Sequence, residues 1–526
     1  MAQNIKFPKT NVPILSASLP IENSDQKVLF VGQASTFPAS DTLYENIPNS
    51  ASEINALFGE GSILAQMLIA ARKINKVVQF DAISPVTSAG AFAASTATIT
   101  ITGTDADAAG NVDVVLGSSV DGSFSVAYAI GDTPTDVAAA IAAYINLAAN
   151  KIAVPLGFTA SSALGVVTIT ATNTGVICDE VSLSASLSDA DLGVTVAGFF
   201  TTSTGVENPD TSSSLDVIGE ERYQTIVWPY LATASADLIP TLDSRFNATN
   251  DVQDGVAIVS KAGLFATVLA DVGTYNSQSL VYIAQLMETD SANESTGIVE
   301  LPWIIAAQFA AIRSLRRQPD ANISDLVISR NGALDSIGGP ALSSKPYANT
   351  PMALLPNIPV GKGFISTEIT QLNDAGATVL GNNKAKTSVI MGQVLTTYKT
   401  DSAGDDDDSF KFLNYVDTAS TAREYFFNNL ASRYAQSRLT DGNLIKGRDM
   451  TNAENIRAEM TGFYQTLADV DYVVARKGED VLQFFKENMS VTIDLLTGTA
   501  NIVFSLPIVT QLREINAPMQ LTFNIE

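Results

Sequence analysis

From Ala93 to about Gly205 the chain is rich in Thr, Ser, Ala, Gly and Val, with Lys151 as the only basic residue, while the sequence on either side alternates strand-like and helix-like segments. Before the break, Val28-Leu29-Phe30-Val31-Gly32 reads as a buried strand. Helices over Ser52 to Phe58 and Ile63 to Asn75 follow, interrupted at Gly59-Glu60-Gly61 and with Ser62 as an N-cap, and Val77 to Ile83 is a second strand. After Gly205 the rhythm resumes, with strands at Thr225 to Pro229, Val256 to Ser260 and Leu280 to Ala284. Helices are expected at Ser235 to Phe246, Gly263 to Asp271 and Pro302 to Arg317, the last ending in Arg313, Arg316 and Arg317, cations that suit a helix C-terminus. Such alternation predicts a mostly parallel sheet that joins the strands on both sides. The Thr-rich stretch then reads as an outward insertion. It carries short strands at Thr98 to Thr102, Val112 to Leu116, Phe124 to Ile130, Val166 to Ala171, Val181 to Ala185 and Val194 to Ala197, and one helix over Thr135 to Ala149.

Residues 319 to 364 are rich in Pro and Gly. A short helix (Glu368 to Asp374), a strand (Val389 to Tyr398) and an acidic run (Asp405 to Asp408) follow. Two helices come next, Thr421 to Gln436 and Ala453 to Ala468, the second opened by Thr451-x-x-Glu454 as a capping box. Met489 to Leu496 and Thr499 to Leu506 read as a hairpin through Thr497-Gly498, with Val491, Ile493 and Leu495 on one face and Ile502 and Phe504 on the returning strand. The final stretch alternates Leu521, Phe523 and Ile525 with polar residues, the pattern of a half-buried strand. That strand either folds back on its own hairpin or reaches a neighbouring copy. At the other end, Pro8, Pro13 and Pro20 around Val12, Ile14 and Leu15 predict an extended arm. The expected fold class is α/β multidomain: a mostly parallel α/β core (24–92 and 206–364), an inserted β-rich domain (93–205), and an α+β C-terminal domain (365–506). Extended terminal arms (1–23 and 507–526) complete it.

Composition removes several functions. With 526 residues, 46% apolar and 16% charged, the chain is globular rather than disordered. It has no histidine, and hence neither the usual general base nor the commonest transition-metal ligand. Its one cysteine, Cys178, cannot form an intrachain disulfide. A net charge of −25 disfavours nucleic acid and anionic membranes as partners. No apolar run approaches the ~20 residues of a bilayer span, and the start lacks a secretion signal, so a soluble protein made in the cytoplasm is expected. Gly59-Glu60-Gly61-Ser62 lacks a P-loop lysine, and Glu60 repels phosphate. Asp105 to Gly110 has Leu116 where a calcium loop needs Glu, and Asp405 to Asp408 reads as a solvated loop. No Gly-x-Ser-x-Gly elbow occurs. No catalytic, cofactor or metal residues are therefore expected.

Several stretches, in their order, resemble phage contractile tail sheath proteins, in particular the group like the Mu tail sheath. They are Ile54-Asn55-Ala56-Leu57-Phe58-Gly59-Glu60-Gly61-Ser62 with the helix after it, Thr396-Thr397-Tyr398-Lys399-Thr400-Asp401 followed by Ala403-Gly404, and Pro507 to Leu512 leading to the terminal strand. The Thr-x-Thr insertion and Tyr223-Gln224-Thr225-Ile226-Val227 fit the same layout. The resemblance implies a structural protein of the virion, assembled in the host cytoplasm, that stacks with itself as six-fold rings in a helical homo-oligomer. Its other implied partners are a tail tube protein and the baseplate and tail terminator proteins, with no nucleic acid and no direct membrane insertion. Contraction then drives the tube through a bacterial envelope. The implied strand donors are Val12, Ile14 and Leu15 with Leu521, Phe523 and Ile525, and the implied acceptor is the hairpin of Val491, Ile493, Leu495, Ile502 and Phe504. The C-terminal domain would lie against the tube and the insertion would face solvent. Arg423, Arg433, Arg438, Lys446, Arg448 and Arg457 meet the tube, meet neighbouring subunits, or form a solvated face. A tailocin or other contractile injection sheath fits equally, and a hydrolase using acidic residues or a carbohydrate-binding protein is a more distant alternative.

Overall fold

An apolar run such as Val28-Leu29-Phe30-Val31 must be covered on both faces, and Lys27–Val31 (β1) accordingly lies inside a sheet, its last four residues fully buried. The computed structural model describes residues 26–35, 38, 40–86, 94–147, 157–189, 191–201, 209–231, 234–248, 251–287, 297–317, 347, 350–352, 354–434, 436–444, 449–469, 473 and 480–508. These form two compact units, one within Ser24–Phe427 and one within Asn428–Pro507.

In the larger unit, Thr42–Tyr44 (β2) is the antiparallel edge strand beside Gln79–Ser84 (β3), and β3 runs parallel to β1. Ala51–Phe58 (α1) and Ile63–Ile74 (α2) connect them. The turn between the helices needs glycine: Gly59 sits at φ 86°, and a Cβ there would overlap Ser35. Ser62 caps α2 as expected, accepting from Ala65 N at 3.2 Å.

The inserted segment folds as Ala94–Gly103 (β4), Gly110–Leu116 (β5), Ser123–Tyr128 (β6), Pro134–Asn146 (α3), Phe158–Ala163 (β7), Val166–Thr174 (β8), Leu183–Leu187 (β9) and Leu192–Val196 (β10). Two antiparallel sheets result, in the orders β10-β4-β8-β7 and β6-β5-β9. Ile99, Val112, Val114, Val167 and Ile169 are buried, as is Ile141 of α3, while alternate Thr and Ser residues face outward. The Thr133 cap is a full capping box with Asp136. Strand β7 escapes sequence reading because Phe-Thr-Ala-Ser-Ser-Ala has little strand propensity of its own. Pairing with β8 along its whole length makes it a strand.

The core continues with Thr225–Val227 (β11), Ile239–Phe246 (α4), Val256–Gly263 (β12), Phe265–Val272 (α5), Leu280–Leu286 (β13), Pro302–Arg317 (α6), Ser366–Asp374 (α7), Ala377–Asn382 (β14) and Val389–Met391 (β15). One eight-stranded sheet results, in the order β15-β14-β13-β12-β11-β1-β3-β2, parallel except at its two edges. The chain therefore leaves this sheet after β3 and returns at β11. Residues Ala234–Leu238, expected as the first turns of α4, wind as a π-turn, since Pro240 has no amide to continue an α ladder. The sheet also runs past residue 364, where the C-terminal domain was expected to begin, because β14 pairs with β13. Gly376 at φ 90° makes the corner before β14, and a Cβ there would meet Thr397 Cα at 2.9 Å. The strand expected to run to Tyr398 stops at Met391. Beyond it Thr397 Oγ1 donates to Ser277 O at 3.1 Å, and Asn276 Nδ2 donates to Thr400 O at 3.0 Å, so the Thr396–Asp401 motif braces the corner before β13.

Leu413–Tyr434 (α8) docks by charge as well as by the buried Leu413 and Val416. Asp417, Ser420 and Glu424 share one helical face. Asp417 receives Arg313 Nη2 at 2.5 Å and Tyr347 Oη at 2.6 Å. Arg222 binds Glu424 at 2.8 Å, Asp254 at 3.1 Å and Ser420 Oγ at 3.0 Å. Arg313 was expected as one of the cations that suit the C-terminus of α6. It instead points inward, only 1% exposed, because Asp417 supplies its counter-charge. The last turns of α8 belong to the smaller unit. That unit adds Arg438–Leu439 (β16) parallel to Met450–Thr451 (β17), Ala453–Asp469 (α9), Asp480–Glu487 (α10), and the hairpin Ser490–Asp494 (β18) with Thr499–Val503 (β19). The cap of α9 is Asn452, whose Oδ1 accepts from Asn455 N at 2.9 Å, rather than Thr451, which lies in β17.

Candidate assembly surface

In an open α/β sheet, ligands bind where the strand order reverses, outside the C-terminal ends of the strands. Here that point lies between β1 and β11, and the chain itself fills it. Gln33 Nε2 donates to Thr174 O at 2.7 Å and Gln33 Oε1 accepts from Thr174 N at 3.1 Å, which seats the end of β8 over the crevice. The adjacent N-terminus of α2 is equally occupied. Ile63 N donates to Asn173 Oδ1, Leu64 N to Gln33 O and Ala65 N to Ser62 Oγ. The first three amides of the helix thus have partners within the chain, and no donor is left for phosphate. Asn173→Ala is expected to orphan the buried Ile63 amide and to cost about 1–3 kcal/mol. Denaturant unfolding checks this, with the exposed Leu164→Ser as a neutral control.

The other chemical candidates are also used within the chain. Asp401 accepts from Ala403 N and Asp405 N, and Asp407 from Tyr398 Oη at 2.7 Å, so the acidic loop is shaped by its own carboxylates. Among the described residues there is no group of three or more acidic, His or Cys side chains able to hold a metal ion, and no helix is long and apolar enough to cross a membrane. Cys178 is buried, and burial pushes its thiol up to about 12, which makes it unreactive.

The hairpin of the smaller unit presents backbone instead. Strands β18 and β19 pair antiparallel, Ser490 with Val503 through Asp494 with Thr499, and among the described residues they pair only with each other. Among the described residues, both outer edges are thus rows of N–H and C=O groups without a strand partner. A two-stranded ribbon is marginal alone and needs a seat. Fully buried Phe485 of α10 supplies it, stacking on Tyr464 of α9 at 4.3 Å and meeting Phe504 edge-on at 5.8 Å. Val491 is buried on this seat, and Ile493, Ile502 and Phe504 are half-buried. Leu495 does not join them as expected. Asp494 accepts from Leu496 N at 2.9 Å, which ends the strand and leaves Leu495 in the exposed turn. Helix α10 went unread because Val481, Phe484 and Phe485 lie in only two turns of sequence.

The expected arginine cluster divides. Arg423 donates both terminal nitrogens to Phe246 O and Ala248 O at the end of α4, so its charge serves the larger unit. In the smaller unit Arg433 pairs with Glu459 at 2.6 Å, and Arg438 and Arg457 are exposed. Lys446 and Arg448 lie outside the described residues, as do the arm residues Val12, Ile14 and Leu15 and the terminal Leu521, Phe523 and Ile525.

No family model matches the chain. A Mu-like prophage FluMu tail sheath protein from Haemophilus influenzae is 24% identical over 424 residues, covering 79% of this chain and 77% of that one. The chain resembles Mu-like tail sheath proteins. Crystal structures of sheath tail proteins from Listeria innocua and Desulfitobacterium hafniense align over 93% and 97% of this sheath-like chain and 93% and 100% of their own, at 12% and 10% identity and TM-scores of 0.44 and 0.42. All three are named as tail sheath proteins.

Proposed function

We propose that the chain is a contractile tail sheath subunit that polymerises as stacked six-fold rings around a tail tube and contracts to drive that tube through a bacterial envelope. The observation that carries this reading is the β18–β19 ribbon, held on Phe485 with neither edge paired to a further strand among the described residues, in a chain similar to a sheath protein. Each edge accepts an extended segment of a neighbouring copy, through main-chain hydrogen bonds for affinity and alternate apolar side chains for register. The donors are the stretch around Val12, Ile14 and Leu15 and the terminal Leu521, Phe523 and Ile525. A tail tube protein, the baseplate and the tail terminator are the remaining partners, and the assembled protein resides in the virion tail. The exposed Arg433, Arg438 and Arg457 serve a tube or subunit contact.

Negative-stain electron microscopy of the purified chain, alone and with candidate tube protein, is expected to show hollow striated sleeves. Removing Gln520 to Glu526 is expected to abolish them while leaving a folded monomer by circular dichroism. Sleeves of normal length from the truncated chain would refute strand donation by the tail. Uniform single particles from the full chain under both conditions would refute the sheath reading itself.

A further inference from the structure

Glu300 stands two residues before the first residue of α6 and is only 4% exposed. Its carboxyl joins two parts of the fold. Oε1 accepts from Leu301 N at 3.0 Å, at the start of α6, and Oε2 accepts from Ser118 Oγ at 3.0 Å, in the turn between β5 and β6 of the insertion. Ser119 N crosses the same seam to Val299 O at 2.9 Å, and the Leu301 side chain packs where a Cβ on Gly117 would fall. Beside the carboxyl lies a cavity of about 100 Å³ walled by Ile69, Ala70, Val120, Ile304 and Gln308. Lys73 of α2 and Asp121 of the turn also line it, and they form a half-exposed ion pair at 3.4 Å. The charged groups that act on Glu300 are these two, while α6 contributes only Ile304 and Gln308 to the wall.

We propose that Glu300 is a proton-operated latch between the inserted sheets and the α2–α6 pair: the protonated carboxyl keeps the β5–β6 turn seated, and its ionisation releases that turn. The reason is desolvation. A carboxylate in this site has two hydrogen-bond donors, yet the water it loses on burial outweighs them. Burial pushes the Glu300 carboxyl up to about 7, the hydrogen bonds from Leu301 N and Ser118 oppose that rise, Asp121 adds to it and Lys73 weakens it. In the released state the carboxyl is hydrated and returns to the ordinary glutamate range near 4.3. The seated form therefore binds the proton more tightly, and release grows as pH rises between the two values and levels off above the higher one. The cavity gives the departing proton a path to solvent, and the Ser118–Asp121 turn is the element that moves.

This inference does not depend on the sheath reading, and the monomeric full-length chain tests it. Hydrogen exchange of the Ser119 amide, expressed as a protection factor, is expected to fall by roughly tenfold per pH unit between about pH 5 and 7 and then to level off. Glu300→Gln is expected to remove that slope. Asp121→Asn, which takes away a like charge, moves the midpoint down, and Lys73→Met, which takes away the cation, moves it up. A wild-type protection factor independent of pH, a slope that survives in Glu300→Gln, or a midpoint unmoved by both surface variants would each overturn the latch. Should Glu300→Gln fail to fold, the opposed shifts of the two half-exposed variants decide alone.

Discussion

Asp417→Ala is expected to lower the unfolding free energy of the larger unit by about 3–5 kcal/mol, because it strands a buried charge. Arg313 is 1% exposed and its partner fully buried. Its Nη1 contacts Gln224 O at 2.5 Å and Thr225 Oγ1, but those are neutral groups, and among the described residues Asp417 is its ion-pair partner. Tyr347 loses the acceptor of its hydroxyl in the same step. The loss exceeds that of an exposed pair such as Lys73 with Asp121, worth about 0–1 kcal/mol, since solvent screens the latter. Urea unfolding measures it. The double variant Arg313→Met with Asp417→Leu is expected to recover most of the stability, because well-packed apolar side chains replace a buried ion pair at little cost. An Asp417→Ala protein within about 0.5 kcal/mol of the parent would show that α8 is held by its other contacts alone.

Phe485→Ala is expected to cost the smaller unit about 3–5 kcal/mol and to eliminate sleeves. Phe485 is fully buried between Tyr464 and Phe504, and through it α10 supports Phe504, the residue that follows β19. Without it the ribbon has Val491 buried on α9 and half-buried Ile493 and Ile502 to hold its register. An incoming strand then loses the preformed edge it adds to. The neighbouring Phe484 is 46% exposed, so Phe484→Ala is the matched control, expected to cost about 1 kcal/mol or less and to leave sleeves intact. Unfolding by denaturant and electron microscopy read the two effects separately. Sleeves of normal length from Phe485→Ala would mean that the Phe485 seat does not carry assembly.

Local rules made much of the fold readable. The run at β1, the Ser62 cap and the alternation of strand and helix each follow from contacts within a few residues, and each appears where those rules place it. The resemblance rested on the same kind of information, short ordered motifs such as Ile54 to Ser62 and Thr396 to Asp401. Strands with weak propensity, such as β7 and β14, were out of reach because only their neighbours make them strands.

By itself the sequence determined the α/β alternation, the Thr-rich insertion, the absence of histidine chemistry and the similarity to tail sheaths. All are properties of spacing and composition, which act along the chain. Tertiary structure alone decided that Arg313 turns inward to Asp417 and that Asn173 and Gln33 fill the crevice and the α2 N-terminus. It likewise decided that Glu300 closes the seam beside Ser118. Each of these joins residues with no local spacing rule to link them: Arg313 with Asp417, Gln33 with Thr174, Asn173 with Ile63 and Glu300 with Ser118 are each more than 100 residues apart. A charge or an amide is satisfied by whatever the packed fold brings within about 3 Å of it, and sequence spacing carries no record of that distance.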